Sequence, residues 1–210
     1  MNCPTKTQET KKQTSLKKDE KILVVKRTAL FPDGAWHGMK SVPFNEYLEI
    51  IKKKQLFMWR SQVEEDPQYK QIIPYLVFTY HGSYFLMQRK STSSEKRLSN
   101  KFSLGIGGHI RQEDLHGKTI FDWAEREFHE EIEYHDTFTI QPLGILNDDS
   151  NAVGKVHIGF IFLLDGNSNK IKIKSELKQG NLVPLAKCRK YVDRMESWSQ
   201  IVFAFLNKTV

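Results

Sequence analysis

The feature that most constrains this chain is a run of acidic residues that follows a glycine-rich turn. The segment GIGG at 105–108 precedes AEREFHEEIE at 124–133, in which five of nine consecutive residues are glutamates. The formal net charge of the chain is nevertheless +7, so the acids are concentrated rather than spread evenly. Any fold of this chain must place the segment where clustered negative charge is tolerated.

Apolar residues recur in this segment at helical spacing, which predicts a helix over residues 119–133. Thr119 and Asp122 lie three residues apart, as in a capping box, and place the helix start at about residue 119. The stripe expected to face a core comprises Phe121, Ala124, Phe128 and Ile132. At about 100° per residue, the carboxylates that share one flank are those of Glu127, Glu130 and Glu131.

This flank is unfavourable for a helix that binds nothing. Glu127 and Glu131 are like charges one turn apart, and both lie toward the helix C-terminus, where the helix dipole disfavours anions. Arg126 is the nearest cation and is placed to pair with Asp122 or Glu130. Because Mg²⁺ takes oxygen ligands and completes its shell with water and substrate phosphates, we expect the three glutamates to hold Mg²⁺.

The upstream glycines fit the same chemistry, since they let backbone approach a metal ion or a phosphate without an intervening Cβ. We expect a backbone carbonyl at Gly107 to assist the metal ion and Gly108 to contact substrate. His109 either touches phosphate or is an ordinary hydrogen-bonding histidine.

The segment resembles the Nudix box, a glycine, five residues, a glutamate, seven residues and then R-E-U-x-E-E-x-G-U, where U is bulky and aliphatic. The matching positions of this chain are Arg126, Glu127, Phe128, Glu130, Glu131 and Tyr134. The resemblance implies that the three glutamates bind Mg²⁺ or Mn²⁺, that Arg126 orients them, and that water attacks a phosphorus of a nucleoside diphosphate linked to another moiety. The segments IGGHIRQED and LGILNDDSNAVGKVHIGF also resemble a bacterial subgroup of predicted phosphoesterases.

The chain departs from the box at three places. The interval from the box glycine to the box arginine spans 18 positions rather than 14, which lengthens the loop containing RQEDLHG. The first glutamate of the motif falls on Lys118, and either Glu113 or Asp114 could substitute for it. The glycine after the helix is Glu133, so we expect the helix to end differently.

β-rich runs alternate with amphipathic segments along the chain, which predicts an α+β fold with a mixed sheet. The runs expected to be strands are 21–27, 73–90 as a hairpin, 102–110, 137–146, 156–164 and the short 171–174. A helix is expected over 44–57, with Leu56 on its apolar face.

The order of these elements resembles the Nudix α/β/α sandwich over about residues 70–175. We therefore expect a single Nudix-type domain over 21–210, with an N-terminal strand and helix extension over 21–69 and C-terminal helices over 176–210.

Residues 1–20 are lysine-rich and lack an apolar run, so we expect a flexible basic tail, with an arm for nucleic acid or a membrane surface as the alternative. The two cysteines, Cys3 and Cys188, form neither a disulfide framework nor a cysteine metal site. No run of about 18 apolar residues occurs. We expect a cytoplasmic protein with a phosphorylated, nucleotide-like substrate and no membrane partner; a homodimer and a nucleic-acid partner stay open.

Three further acids are candidates for the site. Asp148 and Asp149 lie in the loop between two expected strands, where they form either a polar turn or a substrate contact. Glu176 follows the IKIK segment in a loop where some Nudix hydrolases place a general base, so the base is either Glu176 or Glu131.

These residues favour a Mg²⁺-dependent pyrophosphohydrolase. The alternative is a Nudix-type module that binds a nucleotide derivative as a sensor without hydrolysing it, against which the intact set of three glutamates argues. An isoprenoid diphosphate isomerase of the same fold ranks last, because it uses an active-site cysteine and neither cysteine here is near the box.

Overall fold

The structure is a computed structural model that describes residues 19–89, 100–115, 119–174 and 177–209. Lys118, Glu176 and the tail over 1–18 lie outside the described residues. The strands are β1 Lys21–Lys26, β2 Gly38–Lys40, β3 Leu56–Trp59, β4 Tyr69–Tyr80, β5 Ser83–Arg89, β6 Phe102–Ser103, β7 Ile106–Gly107, β8 Ile132–Glu133, β9 Phe138–Asn147, β10 His157–Gly166, β11 Lys172–Ile173 and β12 Leu177–Pro184.

The helices are α1 Arg27–Leu30, α2 Phe44–Lys54, α3 Arg60–Val63, α4 Ile120–Glu131, α5 Ala152–Val156, α6 Leu185–Cys188 and α7 Ser197–Thr209, with 3-10 turns at Gln112–Leu115 and Arg189–Arg194. Among the described residues, no helix is long and apolar enough to cross a membrane.

A mixed sheet forms the centre of the protein, in the strand order β12-β5-β4-β10-β9-β2. β4 and β10 run parallel, whereas the other neighbours in this order are antiparallel. β1 pairs with both β3 and β4, which joins the N-terminal strands to the sheet, and β7 adds the glycine-rich segment to β4. The predicted hairpin is confirmed as β4 and β5, joined by His81 and Gly82.

The two faces of β4 belong to two separate parts of the core, because successive side chains of a strand point to opposite faces. Ile72, Leu76 and Phe78 pack in one cluster with α2 and α4. Tyr75 and Val77 pack in another cluster with α6 and α7. The expected α+β fold, a Nudix-type α/β/α sandwich with a mixed sheet, is confirmed.

Helix α4 begins as the sequence predicts. Thr119 is its N-cap and forms a capping box with Asp122, whose backbone N–H donates to Thr119 Oγ1 at 3.3 Å and whose carboxylate accepts from the Thr119 N–H at 2.7 Å. Its buried residues are Trp123, Ala124 and Phe128, whereas Phe121 of the predicted stripe is only half-buried. Trp123 shows that the apolar face is wider on the side of the glutamates than the sequence predicts.

The C-terminal end of α4 differs from the prediction. The helix ends at Glu131, and Ile132–Glu133 pairs as β8 with β11, which confirms the short strand expected at 171–174. Lys174 closes the end: its backbone N–H donates to Glu131 O at 2.9 Å, and its ammonium donates to His129 O. These bonds satisfy terminal carbonyls that the helix itself leaves without partners.

Two further predictions hold in part. The helix expected over 44–57 is confirmed as α2 but ends at Lys54, and Leu56, expected on its apolar face, starts the strand β3 and pairs with β1. The segment over 176–210 contains the expected helices, α6 and α7, but its first described part is the strand β12, which pairs along β5 at the edge of the sheet. Pairing with a distant strand decides both outcomes.

Replacing Thr119 with alanine removes the oxygen that caps α4. We expect the free energy of unfolding to fall by about 1 kcal/mol, which lowers Tm by roughly 3 °C in a protein of this size. Circular dichroism melts measure the change. Thr119→Ser keeps the oxygen and should melt like wild type, so equal losses in both variants would contradict the capping role.

Candidate active site

The Gly108 backbone lies directly against the carboxylate of Glu127. A Cβ added to Gly108 would stand 2.1 Å from Glu127 Oε1 and 2.7 Å from its carboxyl carbon, so any larger residue would displace this group. The turn is held from below because Gly107 pairs with Tyr75 of β4. The glycines therefore bring backbone and carboxylate together beside β4, an inner strand of the sheet.

Arg126 lies among three carboxylates. Its Nη1 donates to Glu130 Oε1, while Nη2 lies 3.1 Å from Asp114 Oδ2 and 4.0 Å from Glu127 Oε2. Nη2 is buried and has no partner with hydrogen-bond geometry among the described residues. Of the two pairings open for Arg126, the structure has the one with Glu130.

Asp114 ties the lengthened loop to α4. Its Oδ2 accepts from the Arg111 backbone N–H at 2.9 Å and from Trp123 Nε1 at 3.1 Å, in addition to its ion pair with Arg126. Glu113, the other acid of the insertion, is exposed. Asp114 is thus the acid of the insertion that touches the glutamate helix.

The three glutamates differ in their surroundings. The side chain of Glu127 is 13% exposed and that of Glu130 is 51% exposed, while Glu131 is half-buried. Burial, with the negative charge of Glu130, raises the pKa of Glu127 to about 7, and the charge of Arg126 opposes this rise. Charge on Glu127 is therefore costly until a cation approaches it.

A divalent cation fits the chemistry of this group, since all of its donors are oxygens. In the described part of the chain, no three His, Cys, Asp or Glu side chains are arranged so that they could hold a metal ion as they stand. One of the three carboxylates, that of Glu130, pairs with Arg126 in this structure. The Glu127 carboxylate, pressed against Gly108, has a raised pKa that a bound cation would lower again.

His109 is hydrogen-bonded inside the protein. Its Nε2 lies 2.7 Å from Gln71 Oε1 and 3.2 Å from His157 Nε2. Burial, with the nearby charges of Arg60 and His157, lowers the pKa of His109 well below its usual range. Of the two interpretations of His109, the geometry favours the hydrogen-bonding histidine.

Asp149 is the centre of a partly buried charge cluster that the sequence does not predict. Its carboxylate accepts from both Nη atoms of Arg27, from Lys70 Nζ at 2.9 Å and from Asn147 Nδ2 at 3.1 Å. Lys70 is fully buried and also donates to Gly154 O and His157 O. Burial raises the pKa of Asp149, but the hydrogen bonds from Arg27 and Lys70 outweigh it and hold that pKa well below its usual value.

Asp148 is buried as well, and its carboxylate accepts from the Ser150 backbone N–H at 3.0 Å and from Asn151 Nδ2 at 2.9 Å. The hydrogen bonds of Asp149 fix the loop against α1 and β4, whereas those of Asp148 with Ser150 and Asn151 stay within the loop. Lys70 stands with Gln71 directly before the apolar run of β4, so the sequence alone gives no clear sign that it is buried.

Comparison with known proteins gives several relatives, although no protein-family profile matches the chain. Protein YmaB of Bacillus subtilis is 35% identical over an alignment 214 residues long. The alignment covers 90% of this chain and 98% of that protein. The crystal structure of Tm1382, a proposed Nudix hydrolase, matches with a TM-score of 0.75 at 30% identity, over 91% of this chain and 100% of that one.

Two more distant structures share the fold alone. The NUDIX domain of Shewanella oneidensis NrtR, in complex with ADP ribose, matches with a TM-score of 0.53 at 13% identity, over 67% of this chain and 88% of that one. The MutT protein from Methanosarcina mazei matches with a TM-score of 0.50 at 17% identity, over 67% of this chain and 94% of that one.

Replacing Asp149 with asparagine leaves the buried ammonium of Lys70 without its counter-ion. We expect the free energy of unfolding at pH 7 to fall by about 3 kcal/mol, which lowers Tm by roughly 10 °C. Thermal melts from pH 7 to pH 3 measure the change, and Asp33→Asn, in an exposed turn, is the control.

The loss should depend on pH in a defined direction. The pKa of Asp149 is lowered by folding from an unperturbed value of 3.8, so its stabilisation is complete above that value. As the pH falls below it, the unfolded chain takes up a proton first, and the melting curves of wild type and variant should converge. A gap that stays constant down to pH 3 would contradict this assignment.

Proposed function

The chain belongs to the Nudix hydrolase family, and on that premise we propose that it hydrolyses a diphosphate linkage in a nucleoside diphosphate-type substrate, using a divalent metal ion and water. The observation that carries this proposal is the approach of Gly108 to Glu127 beside Glu130 and Glu131. A glycine backbone that lies against a carboxylate with a raised pKa supports a site for a cation together with a phosphate.

In this proposal Glu127, Glu130 and Glu131 hold Mg²⁺ or Mn²⁺, with a backbone carbonyl at Gly107. The ion, when bound, neutralises phosphate charge and lowers the pKa of a water molecule. Glu127 is the central ligand because it is the most constrained of the three, with Gly108 on one side and Arg126 on another.

Arg126 and Asp114 act as positioning residues. The guanidinium contacts Glu130 and Asp114 at once, so it couples the lengthened loop to the flank of α4 that carries the glutamates. Asp114 is thereby our candidate for the acid that substitutes for the first glutamate of the motif, whose position holds Lys118. Catalysis would then depend mainly on orientation and fixed charge.

A carboxylate close to the phosphate would accept the proton of the attacking water. Glu131 is our candidate, since it is half-buried on the flank of Glu127. Glu176 stays a prediction, because it lies outside the described residues. Gly108 remains our candidate for a phosphate contact, whereas the internal bonds of His109, Asp148 and Asp149 favour supporting roles.

The nucleotide character of the substrate rests on the family. The NrtR domain binds ADP ribose, and it shares only the fold with this chain. We therefore propose a class of substrate, small molecules that contain a diphosphate, and no individual compound.

Loss of activity in glutamine variants tests the proposal. Glu127→Gln and Glu131→Gln should each lower kcat at least about 100-fold in a phosphate-release assay over a library of nucleoside diphosphate derivatives. Glu125→Gln, on an exposed position of the same helix, is the matched control and should retain wild-type turnover. Tight binding of a nucleotide derivative with no turnover in Mg²⁺ or Mn²⁺ would instead establish the sensor module.

Thermal stability gives a test of the metal site that does not need the substrate. Mg²⁺ at ten times its Kd should stabilise the wild-type protein by about 1.4 kcal/mol, which raises Tm by roughly 4 °C. EDTA should reverse the shift, Glu127→Gln should abolish it, and Glu125→Gln should keep it. An unchanged shift in Glu127→Gln would place the cation elsewhere.

A further inference from the structure

We infer that Trp59 forms the stacking surface for the nucleobase of the substrate, in a groove beside the glycine turn. The inference rests on the proposed function and adds the part of the site that holds the non-reacting end of the substrate. The groove has a volume of about 570 Å³ and is lined by residues of β1, β3 and the segment after the glycines, including Trp59, Lys21 and Arg111.

Trp59 is unusual because it is exposed. It and Leu56 are the large hydrophobic side chains that remain exposed in the described part of the chain, at 43% and 42%. The two lie three positions apart on β3, opposite Lys21 and Val24 of β1, so they point to opposite faces of the strand. They do not form a common apolar patch of the kind that a protein partner would cover.

The backbone connects this groove to the glycine turn. Leu23 N donates to Ile110 O at 2.8 Å, and Arg111 pairs with Ile22, so the segment that leaves Gly108 runs antiparallel to β1. Gly108 and Arg111 are three residues apart, roughly 10 Å in an extended chain. Arg111 lines the groove together with Trp59, which lies on the other side of β1. A substrate with its diphosphate at Gly108 would therefore extend past Arg111 and across β1 to reach Trp59.

The charged residues of the groove decide which end of the substrate it can take. Glu20, Glu113 and Asp19 line it and would repel phosphate groups, although carboxylates accept hydrogen bonds from the exocyclic amino groups of bases. Lys21 Nζ lies 5.3 Å from the centroid of the Trp59 ring, and Arg111 Nε lies 3.7 Å from Asp114 Oδ2, on the side of the glutamates. The groove thus suits an uncharged planar ring, with the cation Arg111 between that ring and the diphosphate.

Binding of substrate analogues that cannot be hydrolysed tests the inference. The probes are the four ribonucleoside 5′-(α,β-methylene)diphosphates, compared with methylenediphosphonate, which has the same phosphorus groups but no nucleoside. Isothermal titration calorimetry in Mg²⁺ measures each affinity. For the nucleoside analogue that binds tightest, we expect wild-type affinity to exceed that for methylenediphosphonate at least tenfold.

Trp59→Ala should weaken binding of that analogue about tenfold, as expected for loss of one base stack, and should change the affinity for methylenediphosphonate less than twofold. Trp59→Phe keeps an aromatic face and should retain most of the affinity. Leu56→Ala, on the same strand but on its other face, is the matched control and should bind both probes as wild type does.

Four results would overturn the inference. If methylenediphosphonate binds but the nucleoside adds no affinity, or Trp59→Ala weakens both probes equally, the base lies elsewhere and the proposed function still stands. If neither probe binds to the wild-type protein, the proposed function fails and this inference fails with it. If Trp59→Ala changes only the oligomeric state in light scattering, this face is a contact between copies of the chain.

Discussion

The approach of the Glu127 carboxylate to Gly108 is the constraint on which the rest of the site depends. It requires a turn without a side chain, a strand that holds the turn in place and a helix whose flank faces it. A carboxylate in this position is partly buried and close to two other acids, so its charge is disfavoured. The site is therefore assembled at an electrostatic cost, which the fold offsets elsewhere.

Three separate devices keep α4 in place despite that cost. Its apolar face, with Trp123 and Phe128, is buried in the core against the sheet. This burial stabilises the packing of the helix through the hydrophobic effect. The capping box at Thr119 satisfies the first turn, and Lys174 satisfies carbonyls of the last turn. None of these interactions uses the carboxylate of Glu127 itself, although Trp123 lies on the same side of the helix.

The sequence predicts the features that depend on local patterns. Helical periodicity and the Thr119–Asp122 spacing predict where α4 begins, and two β-rich runs around a glycine-containing turn predict the hairpin of β4 and β5, because these signals act within a few residues. The end of α4, the strand β12 and the inward orientation of Asp149 depend on Lys174, β5 and Lys70, which are distant in sequence. Contacts between residues that are distant in sequence leave no local pattern, so they cannot be predicted from a single amino-acid sequence.

The opposite face of the sheet contributes to the same turn. Glu196 Oε1 lies within hydrogen-bond distance of Tyr75 Oη at 3.0 Å and of Ser103 Oγ at 2.6 Å, deep in the protein. The Tyr75 ring fills the space beside Gly105, where an added Cβ would lie 2.2 Å from Cε1. Ser199 of α7 accepts from the backbone N–H of Leu104 at 3.0 Å.

The strand that leads into the glycines is thus fixed by residues at the start of α7. Since a shift of that strand would move Gly108 against Glu127, the C-terminal helix is part of what positions the site, although it carries none of the glutamates.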